Sequence, residues 1–317
     1  MQALRTVDAR LDLEFTQAIG SLEGMGVPTA KIPFANAGAA QAPAKQKIMI
    51  EYIYAGERKA LLEQASNIAK AKLRSVAGQG SSSFLLMPTQ PDQHVEDDLF
   101  RAAVARRLGG TVQVKEAPAM LCSLVSRQGR CGQALDPEGI HLNQCKCGGH
   151  VSRRHDRVVR WLAAWLQDGR VDSDVLVEQV APSDACPDGR LDLTFDDAGR
   201  RIWIDVAIVA VQSANPAAAL ARAKKDGIAA REAELDKRRR YAGLATPFVV
   251  EALGRPGTCA RGIIGQYAKE DESGSSADAA AAWQSLSAIV QADSARTELR
   301  ACGWNPADWA EAALEVL

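Results

Sequence analysis

Hydrophobic and polar positions follow their most regular patterns in the second half of the chain. The segment SRRHDRVVRWLAAWLQDG, residues 152–169, opens with a serine that can cap a helix, and its apolar side chains fall on one stripe: Val158, Leu162, Trp165 and Leu166. This spacing predicts an amphipathic helix that ends at Gly169. The segment NPAAALARAKKDGIAAREAELDKRRRYAG, residues 215–243, predicts a long helix with proline in its first turn and a candidate break near Gly227.

Short apolar runs predict strands between and after these helices. The segments DVLVEQVAP and TPFVVEALG each have the length and apolar character of one strand. Between them, CPDGRLDLTFDDAGRRIWIDVAIV, residues 186–209, predicts two strands around a turn at Asp196–Gly199. The resulting order of helix, strand, strand, strand, helix and strand places this part of the chain in the α/β class.

Each strand of this hairpin carries one aspartate inside an apolar run. In the register that the predicted turn favours, Asp192 opposes Trp203, and Asp192 and Asp205 are diagonal neighbours about 7–8 Å apart on one face. The opposite face is apolar and predicted to meet the core; its members are Leu191, Leu193, Phe195, Ile202, Ile204, Val206 and Ile208. The two carboxylates could therefore converge on one ion. The alternative is that both are solvated acids at the edge of a sheet.

Glycine, proline and charged residues indicate where the remaining segments of the chain begin and end. The expected division has four parts: 1–120, mostly helical; 121–150, a cysteine-rich unit; 151–265, the α/β domain; and 266–317, a linker and C-terminal helices. Within the first part, helices are predicted in 48–78 and 95–110. Two short helices are predicted after the linker.

Composition limits the class of protein. The chain has 317 residues, 47% of them hydrophobic, and a net charge of −1. No apolar run approaches the ~20 residues that span a bilayer, and the N-terminal sequence MQALRTVDARLDLEF lacks the apolar block of a secretory signal. An intracellular location without a membrane partner is therefore expected. Basic residues nevertheless cluster in SRRHDRVVR and DKRRRY, so local patches matter more than net charge.

Four potential metal ligands lie within 24 residues, at Cys122, Cys131, His141 and Cys145. Three thiols and one imidazole suit tetrahedral Zn²⁺, and closed sites of this composition are structural. Cys147 could replace Cys145, because it follows only two residues later. The alternative is that some of these cysteines are small buried apolar residues.

The order of elements, with one acid in each of the second and third strands, resembles the PD-(D/E)XK restriction-endonuclease-like core. Upstream, CGQALDPEGIHLNQCKCGG runs directly into VSRRHDRV. This resembles the zinc knuckle and the following helix of the restriction-like endonuclease region that ends many non-long-terminal-repeat retrotransposon polyproteins. The knuckle pattern matches at Cys131, Gly132, Gly139, His141, Cys145, Gly148 and Gly149. Its first ligand departs from the pattern, since Cys122 lies nine positions before Cys131 where the family keeps a short gap.

This resemblance implies a metal-dependent DNA endonuclease. Asp192 and Asp205 would hold Mg²⁺ or Mn²⁺ against a phosphate, with Asp188 of the literal Pro-Asp as the fallback for Asp192. A lysine two residues after the second acid is usual, but Ala207 stands there. In the retrotransposon enzymes the lysine lies on the following helix in a Lys-x3-Tyr pattern, which KRRRY matches at Lys237 and Tyr241. Competing lysines are Lys224 and Lys225.

The resemblance also implies contacts with nucleic acid at the start of the first helix of the α/β domain. The candidate residues for phosphate binding are Arg153, Arg154, His155 and Arg157. DNA is the expected partner, RNA remains open as a second one, and a nuclear location follows. The alternative function is a catalytically inactive nucleic-acid-binding module that uses the knuckle and the basic helices. A third alternative is a structural interaction domain in which zinc only stabilises the fold.

Overall fold

The computed structural model describes residue 17 and residues 54–108, 121–136, 139–180, 189–269 and 277–303. The chain divides into two compact units, Met1–Ser66 and Asn67–Leu317. In the first unit, residues 54–64 are helical. The sites discussed below all belong to the second unit. Asp188, which was the fallback for Asp192, lies outside the described residues.

The described part of the second unit is a mixed α/β structure. Its helices are α1 (Asn67–Val76), α2 (Asp97–Arg107), α3 (Ile140–Gln144), α4 (His150–Gln167), α5 (Pro216–Lys224), α6 (Ile228–Arg240), α7 (Thr258–Tyr267) and α8 (Ala277–Ala301). Its strands are β1 (Val125–Ser126), β2 (Gly129–Arg130), β3 (Leu176–Val180), β4 (Arg190–Asp197), β5 (Arg200–Val209) and β6 (Thr246–Glu251). Strands β1 and β2 form a small hairpin. The larger sheet has the order β3-β4-β5-β6, in which β6 runs parallel to β5 and the other pairs are antiparallel.

The elements around the sheet follow the predicted order, from α4 through three strands to a helical segment and β6. The predicted break in the long helix is present. Gly227 has φ 69°, in the left-handed region that glycine adopts without strain, and it separates α5 from α6. Asn215 caps α5, because its side chain accepts hydrogen bonds from the amides of Ala217 and Ala218.

The predicted start of α4 is wrong by one half-turn. The helix begins at His150, and Gly149, with φ 64°, occupies the cap position. Ser152 therefore lies inside the first turn and does not cap the helix. Glycine can take this left-handed conformation directly before a helix, whereas a serine cap requires an extended one.

The predicted hairpin register is also wrong. Leu193 pairs with Ile204 and Asp197 pairs with Arg200, so the turn contains only Ala198 and Gly199. Both turn residues have positive φ, 48° and 74°, and such a turn matches the right-handed twist of the flanking strands. In this register Asp192 falls directly opposite Asp205 instead of opposite Trp203. The two acids still share one face of the sheet.

The main core lies between the other face of the sheet and three helices. Leu193, Phe195, Ile204, Val206, Phe248 and Val250 from the strands pack against residues of α4, α7 and α8, among them Leu162, Ile264 and Leu286. All of these side chains are at most 1% exposed. Leu191, predicted to belong to this face, instead packs with Tyr241 and Ala245.

The C-terminal helix differs most from the prediction. Of the two short helices expected after the linker, the one predicted in NPADWAEAALEVL lies outside the described residues, and the other is replaced by α8, one helix of 25 residues. Helix α8 packs against α2, α4 and the turn at Ser83–Leu85. Its buried polar side chains bind neighbouring backbone, since Gln284 donates to the carbonyls of Leu86 and Met87 at 3.0 Å.

No helix among the described residues is both long and apolar enough to cross a membrane.

Candidate functional site

Asp205 forms a buried ion pair with Lys237. It lies on β5 and is 3% exposed, and Nζ of Lys237 lies 2.5 Å from its Oδ2. Helix α6 packs against β5 and β6, which brings its last turn to the carboxylate. The competing lysines Lys224 and Lys225 are exposed at the end of α5, and neither forms an ion pair with Asp205 in the described structure. The geometry thus selects Lys237 among the predicted lysines.

Tyr241 contacts the same carboxylate. It follows the last residue of α6, and its amide donates to the carbonyl of Lys237 at 3.1 Å, so one helical turn separates the two side chains. Its hydroxyl lies 3.4 Å from Oδ1 of Asp205 and 3.2 Å from the carbonyl oxygen of Arg190. The Lys-x3-Tyr pair therefore reaches both oxygens of one buried acid.

Asp192 lies on the neighbouring strand and is held by two donors. The amide of Val206 donates to its Oδ2 at 2.6 Å, and Nε2 of His155 lies 3.3 Å from the same oxygen. The other ring nitrogen of His155 lies 3.1 Å from Oδ1 of Asp156. The structure thus joins α4 to the carboxylate pair through His155, which the sequence placed only near the site.

The charged groups of this site shift one another's pKa values. Burial raises the pKa of Asp205, the Lys237 ammonium opposes that effect, and the Asp192 carboxylate raises the pKa further. The hydrogen bond that Nε2 of His155 donates to the Asp192 carboxylate outweighs burial and raises the pKa of His155 to about 9. His155 is therefore an imidazolium at neutral pH. In the described structure, Oδ1 of Asp192 makes no hydrogen bond, which leaves one carboxylate oxygen open beside two cations.

The four predicted zinc ligands converge. The ligand atoms of Cys122, Cys131, His141 and Cys145 all lie within 4.8 Å of one another. Sγ of Cys145 lies 3.7 Å from that of Cys131 and 3.9 Å from that of Cys122. With Zn–S bonds of about 2.3 Å, sulfur atoms in a tetrahedral site lie about 3.8 Å apart. The cluster can therefore hold a metal ion such as zinc, and Cys122 belongs to it despite the long gap.

Local structure positions each of these ligands. Cys122 and Cys131 flank the β1-β2 hairpin, where the amide of Gly132 donates to the carbonyl of Cys122 at 3.1 Å. His141 lies on α3, whose first amides are capped by Asp136: its carboxylate accepts from Ile140 and His141 at 2.7 Å. Four protein ligands close the site to substrate, so a metal bound here would be structural.

The end of α8 supports this cluster. The amide of Ser123 donates to the carbonyl of Ala301 at 2.8 Å, and Ala301 and Cys302 pack in one apolar cluster with Cys122 and Cys145. Burial raises the pKa of the Cys145 thiol to about 12. A bound divalent cation reverses that effect, because it stabilises the thiolate directly.

Among the arginines predicted to contact phosphate on α4, Arg154 is buried, whereas Arg153 and Arg157 are exposed. Arg154 is 4% exposed and donates to the Ser294 hydroxyl at 2.8 Å, so it cannot reach a phosphate in this structure. Its position on the buried side of the helix could be predicted from spacing, because Arg154 lies four residues before Val158 on the apolar stripe, whereas its partner on α8 could not. Arg157 forms an ion pair with Asp293 at 2.6 Å. Arg153 is exposed but donates to the carbonyl of Gly148 and lies 3.0 Å from Nδ1 of His150.

No family model, curated protein or solved structure matches this chain. The function is therefore argued from the geometry of the chain itself.

Proposed function

We propose that this protein is a metal-dependent DNA endonuclease of the restriction-like kind, related to the endonuclease region of non-long-terminal-repeat retrotransposons. The observation that carries the proposal is the convergence of Asp192, Asp205 and Lys237. Two carboxylates from adjacent strands and a lysine from the following helix meet on one side of a mixed sheet. A nuclear location, where the DNA is, belongs to the same proposal.

The carboxylate pair is compatible with Mg²⁺ or Mn²⁺. Mg²⁺ is commonly bound by one or two carboxylates, with water and substrate phosphates completing its octahedral shell. Oδ1 of Asp192, which makes no hydrogen bond among the described residues, and the buried carboxylate of Asp205 would supply the protein ligands. When bound there, the ion would neutralise the charge of the scissile phosphate.

The side chains around the carboxylate pair would stabilise charge on the phosphate and fix the orientation of the two aspartates. The Lys237 ammonium lies where it can stabilise negative charge that develops on the phosphate in the transition state. Tyr241 fixes the orientation of Asp205 through its hydroxyl. His155 and the amide of Val206 fix the orientation of Asp192. The Cys/His cluster would hold structural zinc at the start of α4, away from the chemistry.

Plasmid nicking tests the proposal. The purified, zinc-loaded protein should convert supercoiled DNA to the open circular form in Mg²⁺ or Mn²⁺, and it should not do so in the same buffer without either ion. Asp196→Asn provides the matched control, because Asp196 is a half-exposed acid on β4 that forms an ion pair with Arg201 near the turn. That variant should nick at the wild-type rate. Absence of metal-dependent nicking by the folded, zinc-loaded protein would reject the proposal.

A further inference from the structure

A cavity lies between α4, α8 and the turn at Pro91–Gln93. Its volume is about 230 Å³, and the residues that line it include Trp161, Asp92 and Asp278. Pockets for cofactors or drug-sized ligands usually measure about 300–1,000 Å³. A cavity of this size therefore fits a single side chain better than a whole cofactor.

Two tryptophans and an arginine line one part of this cavity. Trp161 and Trp165 lie one turn apart on α4, and their rings stack with centroids 6.2 Å apart and planes 19° apart. The guanidinium carbon of Arg170 lies 4.6 Å from the Trp165 ring centroid, which is a cation–π contact. Asp278 accepts from Arg170 at 2.6 and 3.1 Å, and Asp168 accepts from it at 3.0 Å. The chain itself thus places a guanidinium between an aromatic face and two carboxylates.

The other part of the cavity has an aromatic ring and a carboxylate without such a cation. Within the described part of the chain, no cationic group lies over the ring of Trp161, which is only partly buried. The Asp92 carboxylate is exposed and forms no ion pair among the same residues. Lys269 lies 3.9 Å from Asp168, so this lysine is not paired with Asp92. An unpaired carboxylate and an uncovered tryptophan in one cavity are complementary to an organic cation.

We infer that this cavity binds an arginine side chain of a partner protein, with the guanidinium over the Trp161 ring and near the Asp92 carboxylate. Arginine forms cation–π contacts more often than lysine, and its planar group can stack on a ring while it pairs with a carboxylate. Arg170 on Trp165 is an example of this combination within the chain. A nucleic acid is disfavoured, because the carboxylates of the cavity would repel its phosphates. The inference is independent of the proposed nuclease activity.

Titration of the zinc-loaded protein with a short peptide tests the inference. The peptide Gly-Gly-Arg-Gly-Gly should shift the indole N–H resonances of Trp161 and Trp165 until binding saturates. The same peptide with citrulline, which has a similar shape but no charge, should not shift them. Trp161→Leu should weaken binding about 5-fold, followed on the Trp165 resonance. Asp92→Asn should weaken binding about 2- to 5-fold.

The matched control is Asp236→Asn, which removes an exposed acid of α6 that does not line the cavity. It should bind the arginine peptide with wild-type affinity. Trp161 packs partly against the core, whereas Asp92 is exposed, so Asp92→Asn keeps the test valid if Trp161→Leu misfolds.

Three results would each overturn the inference: no saturable shift with the arginine peptide, equal binding of the citrulline peptide, or equal losses in Asp92→Asn and Asp236→Asn. Shifts of the Trp161 resonance by a single-stranded oligonucleotide but not by the arginine peptide would also overturn it, and they would assign the cavity to nucleic acid instead.

Discussion

The ion pair of Asp205 and Lys237 links the stability of the protein to its proposed activity, because a substitution at either residue changes both. The carboxylate is buried between β5 and α6, and the Lys237 ammonium opposes the rise in its pKa that burial causes. Removal of one partner of a buried ion pair leaves the other uncompensated, which costs about 3–5 kcal/mol when burial is complete. Lys237 is 21% exposed, so the cost here should be at the lower end. Stability and activity therefore have to be measured together.

Lys237→Met should abolish most nicking while leaving the protein folded. Loss of one positioned charge in a transition state typically lowers a rate by about 100-fold or more. Nicking rates and urea unfolding of the same preparation would show both effects. Lys224→Met, on the exposed end of α5, is the matched control and should change neither. Equal loss in both variants would mean that Lys237 has no specific role.

Tyr241→Phe isolates an orienting hydroxyl. The variant keeps the ring that packs with Leu191 and loses the hydroxyl contacts with Asp205 and Arg190. A net loss of about 1 kcal/mol in unfolding free energy is expected, as for a typical hydrogen bond. The nicking rate should fall less than in Lys237→Met. A rate equal to that of Lys237→Met would instead make Tyr241 a direct participant.

His150 should make the protein sensitive to acid. Burial, with Arg153 beside the ring, lowers its pKa to about 4, against about 6.5 in an unfolded chain. Between these values the unfolded state binds more protons, so the free energy of unfolding should decrease as pH falls from 6.5 towards 4. The groups around the ring are Arg153, Arg154, Arg300 and Asp293. Denaturant unfolding at several pH values should show that the free energy of unfolding decreases less between pH 6.5 and 4 in His150→Gln than in the wild-type protein. An identical decrease would contradict this prediction.

Helix α8 shows why some elements cannot be predicted from a hydrophobic pattern. Amphipathic helices such as α4 expose one face, so their apolar stripe is visible in the sequence. Helix α8 is buried on most sides, and its buried residues include Ser285, Ser287, Gln291 and Thr297. Such small and polar residues form no stripe, and their partners lie some 200 positions away, as for Ser287 and Ser81.

A core substitution in α8 tests its central position. Leu286 is 1% exposed, and Leu286→Ala should cost about 2–5 kcal/mol through lost burial and the remaining cavity. Leu235→Ala on α6 is the matched control, because Leu235 is 43% exposed and should lose much less. Urea unfolding of both variants gives the comparison. Similar small losses would mean that α8 is a peripheral helix after all.

The knuckle is an element whose stability should depend on its metal. Cys122→Ser should lose zinc and lower the melting temperature, because a small unit with little core depends on ligand binding for folding. Cys147→Ser is the matched control, since Cys147 lies beside the cluster but outside the set of four. It should retain zinc by elemental analysis. Zinc loss in Cys147→Ser together with retention in Cys122→Ser would reassign the ligand set.

At the scale of the whole molecule, arrangements of residues close together in the sequence could be predicted, and contacts between residues far apart could not. The alternation in β4 and β5 placed the two aspartates on one face, and the Lys-x3-Tyr spacing placed Lys237 and Tyr241 one helical turn apart, because each relation spans only one hairpin or one turn. The contact of Lys237 with Asp205 joins α6 to β5, and it was expected only from the family resemblance. The register failed by two residues, since the choice of turn depends on Ala198 taking a left-handed conformation. The burial of Arg154 was missed although Arg154 lies four residues before Val158 on the same stripe of α4; its partner Ser294, 140 positions away, could not be predicted.

The most direct test of the account is plasmid nicking by two isosteric variants, Asp192→Asn and Asp205→Asn, beside Asp196→Asn in saturating Mg²⁺. Each of the first two removes one charged ligand of a shared site. Both should abolish nicking, and the double variant should be no worse than either, since groups that act as a unit are not additive. DNA binding in buffer without added Mg²⁺ or chelator, and bound zinc, should remain at wild-type levels. If the wild-type protein nicks DNA and Asp192→Asn and Asp205→Asn nick it equally fast, the paired carboxylates are not the active site.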